Sequence, residues 1–180
     1  MGTANGLNAS EASRAVYWIF GKVFAVRDDI KSKLDAVFAK HDESKRKAAE
    51  AQYKESSFLR AFLDAREKTI RPAMVEVGEY VRGMGYTFRI STEEDGLSMA
   101  GTNRLIPASI KIEFPIGEPP TYEIPVPSFE VICEKHTQRV LFHENTTGGQ
   151  SSSAGDASLS ELTGDMIQER ILAVVAEVFR

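Results

Sequence analysis

The residues best suited to metal or nucleophilic chemistry in this chain are three histidines, His41, His136 and His143, and a single cysteine, Cys133. A zinc site needs three or four convergent nitrogen, sulfur or carboxylate ligands. Strand alternation brings Glu130 and His143 to one face of a hairpin, with His136 at its turn, which places only two ligands, so no metal is expected. Cys133 falls on the apolar face of the same hairpin, and a buried thiol is inert. Asp28-Asp29 and Glu93-Glu94 are sequence neighbours whose side chains point different ways, which suits helix caps and turns rather than paired acid–base work. Gly149 to Gly155 lies between a strand and a helix, where phosphate loops also lie. It lacks both the GxxxxGK spacing and the lysine, leaving generic anion binding at the last helix's N-terminus as a weaker alternative to a plain loop. Asn145-Thr146-Thr147 matches a glycosylation acceptor without a secretion signal to give it meaning. With no Gly-x-Ser-x-Gly, His-Glu-x-x-His or dinucleotide fingerprint, no catalytic residue and no cofactor is assigned, and an enzyme is the less favoured reading.

These residues are positioned by the stretch from Tyr86 to His143. Tyr86–Ser91 and Ala108–Phe114 alternate apolar and polar, the signature of strands with one buried face. Phe129–Glu134 and Arg139–His143 form a hairpin around Lys135–Gln138. Pairing Glu134 with Arg139 sets Cys133 opposite Val140 and Val131 opposite Phe142 on the core side. Ile132–Leu141 and Glu130–His143 then fall on the other side, with opposite charges pairing at both ends. The prolines between Pro115 and Pro127 mark an edge or an irregular connection. Glu144 to Ser160, rich in Gly, Ser and Thr, reads as a mobile loop dispensable for folding.

Helical sequence flanks the sheet. Val16, Ile19, Phe20, Val23 and Phe24 form one helical stripe, and Ile30, Leu34, Val37 and Phe38 a second. Lys40 to Ser57 carries mixed charges and fits either a solvated helix or a linker. Phe58, Leu59, Phe62 and Leu63 restart the pattern, and Ile70, Met74, Val77 and Val81 extend it. Pro72 either kinks a long helix or opens a new one, the new start being favoured. Gly83-Met84-Gly85 supplies a left-handed cap. Thr163 caps a last helix whose stripe is Ile167, Ile171, Val174, Val175 and Val178.

The composition, 42% hydrophobic and 27% charged, is that of a globular protein. A net charge of −4 argues against a nucleic-acid partner. One cysteine excludes an intrachain disulfide. The apolar run Ala15–Val26 is too short to span a bilayer. These features point to a cytoplasmic protein without a membrane partner.

The expected fold is α+β: a four-stranded antiparallel meander covered on one face by the helices Pro72–Met84 and Thr163–Phe179, with an N-terminal helical extension. The expected division is a helical region over 1–68 and a helix–sheet–helix domain over 69–180. Two helices fill the sheet face, so the stripe Val16, Ile19, Phe20, Val23, Phe24 and its continuation need another cover. The functional expectation is therefore a non-enzymatic interaction or assembly module, a homodimer through these N-terminal helices or a binder of another protein. The alternative is a small-ligand protein with a pocket between sheet and helices lined by Phe88, Ile112 and Phe129.

Overall fold

A computed structural model describes residues 27–97, 104–115, 126–146 and 151–178. The stripe Val16, Ile19, Phe20, Val23 and Phe24 lies outside the described residues, as do most of the proline-rich connection and Gly149. The chain divides into two compact units, one ending at Ala49 and the other running from Glu50 to Arg180.

Helix α1 (Asp28–Ala65) has 38 residues. Asp28 and Asp29 occupy its first turn, where the helix dipole favours negative charge. The charged stretch from Lys40 is helical throughout. It is rich in alanine, lysine and glutamate, which are strong helix formers, and Lys47 pairs with Glu43 one turn away.

At Arg66–Ile70 the helix widens into a π-turn, with the Arg71 N–H donating to the carbonyl of Arg66, five residues back. Helix α2 (Arg71–Gly83) follows directly, with Pro72 in its first turn. Pro72 thus opens a new element, as its missing N–H favours, but the backbone at Ile70 and Arg71 stays right-handed helical. The local widening takes the place of a break. The guanidinium of Arg66 is buried at this turn and donates to Glu67, to Glu94 and to the carbonyl of Glu93.

The end of α2 follows its glycines. Gly85 sits at φ +94°, Tyr86 N–H donates to the Val81 carbonyl, and Gly85 N–H donates to that of Arg82. This pair of bonds is a Schellman cap. Phe88 then turns its ring onto Gly78, where a Cβ would lie 2.5 Å from the ring carbons. Only glycine permits that approach.

The main sheet is antiparallel and has five strands rather than four, in the order β1-β4-β5-β6-β7. They are β1 (Arg89–Glu93), β4 (Ser109–Glu113), β5 (Ser128–Glu134), β6 (Arg139–Asn145) and β7 (Ser151–Ala157). β2 (Gly96–Leu97) and β3 (Leu105–Ile106), which follow β1 and precede β4 in sequence, form a separate short ribbon. The β5–β6 register pairs Glu134 with Arg139, Cys133 with Val140, Val131 with Phe142 and Glu130 with His143, as alternation and charge pairing required.

The fifth strand corrects the expectation of a loop across Glu144–Ser160. Ser151–Ala157 holds no β-branched or aromatic residue, so its sequence carries no strand propensity. It pairs through its backbone on the sheet edge, from Asn145↔Ser151 to Val140↔Ala157. Between Leu141 and His143 the register shifts, so Ala154 and Gly155 oppose Phe142 alone, a bulge with Gly155 at φ +98°. Arg170 donates to the Ala154 carbonyl at 2.7 Å, Arg139 pairs with Asp156, and Ala157 is buried.

Helix α3 (Gly164–Val178) is capped by Thr163, whose hydroxyl accepts from the Met166 N–H. The core lies between the helices and one sheet face. It joins Phe62 of α1, Ile70, Met74 and Val81, the strand residues Ile110, Ile112, Phe129, Val131, Val140 and Phe142, and Ile167, Ile171 and Val174 of α3. Phe129 and Phe142 stack with centroids 5.9 Å apart. The end of α1 therefore joins the two expected helices in this core, with Phe58, Leu59 and Leu63 packed around Phe62.

Candidate functional site

The N-terminal half of α1, considered by itself, carries four large apolar side chains at helical spacing. Ile30, Leu34, Val37 and Phe38 fall at i, i+4, i+7 and i+8, on one face. Their exposures are 44%, 44%, 62% and 61%. An isolated exposed apolar residue is normal, whereas these four form a contiguous helical row, a larger apolar patch than scattered residues make. Lys31, Lys33 and Asp35 interleave with the row, Lys40 follows it, and all four are exposed. A charged remainder keeps such a helix in water while its apolar row stays available.

The residues proposed to line an internal ligand space lie in the second unit. Ile112 and Phe129 are register partners, both fully buried. Phe88 is partly buried against Gly78, with the Arg82 guanidinium 4.7 Å above its ring. Phe129 is already stacked on Phe142, and the Arg170 guanidinium covers the ring of Phe142 at 4.3 Å.

The chemistry-bearing residues are dispersed. His41 is exposed on α1 beside Asp42. His136 sits at the β5–β6 turn with Nδ1 2.8 Å from Glu55 of α1. His143 faces Glu130 across the strands on the outer sheet face. No group of three or more His, Cys, Asp or Glu suited to a metal ion occurs among the described residues. Cys133 is a buried free thiol. Burial, with the nearby Asp95 charge adding to it, pushes the thiol up to about 12, so at neutral pH it is neither thiolate nor nucleophile. Glu94 is spent on Arg66 and Asp95 on Lys135, at 2.7 Å.

A charge cluster on the outer sheet face escaped the sequence reading. Glu113 is buried there between Arg89 and Lys111. Burial pushes its carboxyl up, but the bonds from Lys111 and Arg89 outweigh burial and hold it below the usual carboxylate range. The signal for it was the polar half of the alternation in β1 and β4, Arg89-x-Ser91 and Ser109-x-Lys111-x-Glu113. Antiparallel pairing sets Arg89 directly opposite Glu113.

None of the described helices is long and apolar enough to cross a membrane. No family model, curated protein or solved structure matches the chain.

Proposed function

We propose that the chain is a non-enzymatic assembly module that pairs with a second copy of itself through the N-terminal half of α1. The observation that carries this is the exposed row Ile30, Leu34, Val37 and Phe38. A two-fold pairing uses the same patch on both copies and needs no second complementary surface. Burying each large apolar side chain contributes about 1.5–3 kcal/mol. A cytoplasmic setting fits a free thiol, since disulfides mark oxidising compartments. A ligand space lined by Phe88, Ile112 and Phe129 has less support, because Phe88 and Phe129 are each engaged with a neighbour.

Site-directed cross-linking tests the reading. Cys133 is buried and stays silent toward a maleimide. In an antiparallel pair, Val37→Cys lies near the two-fold axis, whereas Lys54→Cys lies about 26 Å along the helix from it. A short bismaleimide is expected to link Val37→Cys chains into dimers at micromolar concentration and to leave Lys54→Cys chains single. Absence of a Val37→Cys dimer overturns the proposal.

A further inference from the structure

Helices α2 and α3 flank a surface groove that the assembly reading does not use. They approach closely at their starts, where a Cβ on Gly164 would lie 3.9 Å from that of Ala73. A turn further on, Gln168 Nε2 donates to Glu76 Oε2 at 2.8 Å. The two contacts advance together along both chains, so the helices run side by side in the same direction. Their core-facing rows, Met74 and Val81 on one and Ile167, Ile171 and Val174 on the other, are buried. Other side chains of the same two helices line a groove of about 430 Å³.

The groove combines an apolar surface with one sign of charge. Val77, Tyr80 and Leu172 supply the apolar part, and Tyr80 and Leu172 are exposed. Glu76, Asp165 and Glu169 supply three exposed carboxylates, and no cation is among the lining residues. Asp165 lies in the first turn of α3, where the helix dipole accounts for it. Glu76 and Glu169 lie a turn further into their helices and have no such support. None of the three is joined to a cation among the described residues; Glu76 has the neutral Gln168 amide instead.

These features select among occupants. A second copy using the same patch across a two-fold axis would set three carboxylates against three, and like-charge repulsion opposes that pairing. An anionic surface or a nucleic acid meets the same repulsion. A small molecule would stay largely in water, because most of the lining residues are exposed, whereas ligand sites bury most of their ligand. An amphipathic helix fits. It lays its apolar face into such a groove on anchors at i, i+3 or i+4, and i+7. Asp165 and Leu172 are about 10.5 Å apart along α3, the length over which a partner helix presents those anchors. Lysines or arginines beside the anchors would complement the carboxylates.

We propose that the groove between α2 and α3 binds a cationic amphipathic helix of a partner protein. Its apolar anchors lie on Val77, Tyr80 and Leu172, and its lysines or arginines face Glu76, Asp165 and Glu169. The experiment is a two-dimensional 1H–15N NMR titration of the full chain with three synthetic peptides. The first is a helix of leucine and lysine with the leucines at the anchor spacing. The second carries glutamate in place of lysine. The third keeps the first peptide's composition with the leucines scattered around the helix. The expected result is saturable shifts at the backbone amides of Val77, Tyr80 and Leu172 with the first peptide alone. Leu172→Ala should weaken that binding by about tenfold, the loss of much of one buried aliphatic contact. Glu169→Lys should weaken it by about threefold or more and reduce its dependence on salt. Both positions are exposed, so the fold tolerates these changes. Absence of saturable shifts with the first peptide, shifts confined to Ile30–Phe38, equal binding of either control peptide, or unchanged affinity in either variant overturns the proposal. Conversion of a parent dimer to single chains by Leu172→Asp also overturns it, by assigning the groove to a second copy.

Discussion

Ile30, Leu34, Val37 and Phe38 lie on the same continuous helix as Phe58, Leu59, Phe62 and Leu63, and both sets recur with the helical period. Their surroundings differ. Phe62 is fully buried in the sheet-bearing unit with its three neighbours packed around it, whereas the earlier set is 44–62% exposed. The ion pairs divide in the same way. Lys47–Glu43 in the first half is exposed, while Arg66 at the far end is buried with three acceptors. Periodicity therefore shows that a helix has an apolar face, and leaves open whether the same chain or another molecule covers it.

The sharpest way to break this comparison is truncation in each half. Phe62→Ala should lower unfolding stability by about 3–5 kcal/mol, the cost of a cavity at a filled core position. Phe38→Ala, measured in urea at concentrations low enough to dissociate any dimer, should stay within about 0.5 kcal/mol of the parent. Equal losses at the two positions would show that both faces are covered within the chain.

The edge strand gives the next largest effect. Replacing Ser151–Ala157 with a flexible linker removes the β6–β7 ladder, buried Ala157 and the Arg170–Ala154 bond. A loss of about 2 kcal/mol is expected, which for a chain of this size lowers the midpoint by about 4–8 °C in a thermal melt. An unchanged melt would mean that this strand adds nothing to the second unit.

The two regions should also differ in pH response. Glu113 is held below its ordinary range in the folded state, so its contribution is present above the unfolded carboxyl range and is lost as pH falls through the folded value. Glu113→Gln should flatten that acid limb by about 1 kcal/mol in denaturation curves taken across acid pH. Glu43→Gln, at an exposed pair in the first half, should leave the limb unchanged. The smallest effect belongs to Lys135, raised by its bond to Asp95. Its contribution is present below the unfolded lysine range and is lost as pH rises through the folded value. Asp95→Asn should remove only a few tenths of a kcal/mol at neutral pH, visible as a flatter alkaline limb.

Legibility in the sequence followed the strength of local signals. Glu134 and Arg139 at the hairpin ends, with strict alternation between them, were enough for the β5–β6 register. Gly85 and Thr163 marked a helix end and a helix start through caps that few other residues can supply. Ser151–Ala157 stayed hidden because an edge strand pairs through its backbone, and seven small or polar residues look the same in a strand and in a loop. Asn145 reads as part of the same loop, although the alternation of Leu141 and His143 carries it onto the outer face opposite Ser128. The charged stretch from Lys40 to Ser57 reads as either helix or linker for a related reason: without an apolar face, sequence alone does not separate a solvated helix from a linker.

The central claim, that the first half of α1 is covered by a second copy of the chain, is tested most directly by sedimentation equilibrium at micromolar concentration. The account predicts a species of twice the 19.9 kDa chain mass, converted to the single-chain mass by Phe38→Glu with the thermal midpoint of the sheet-bearing unit unchanged. A parent protein that sediments at 19.9 kDa across that range would contradict it.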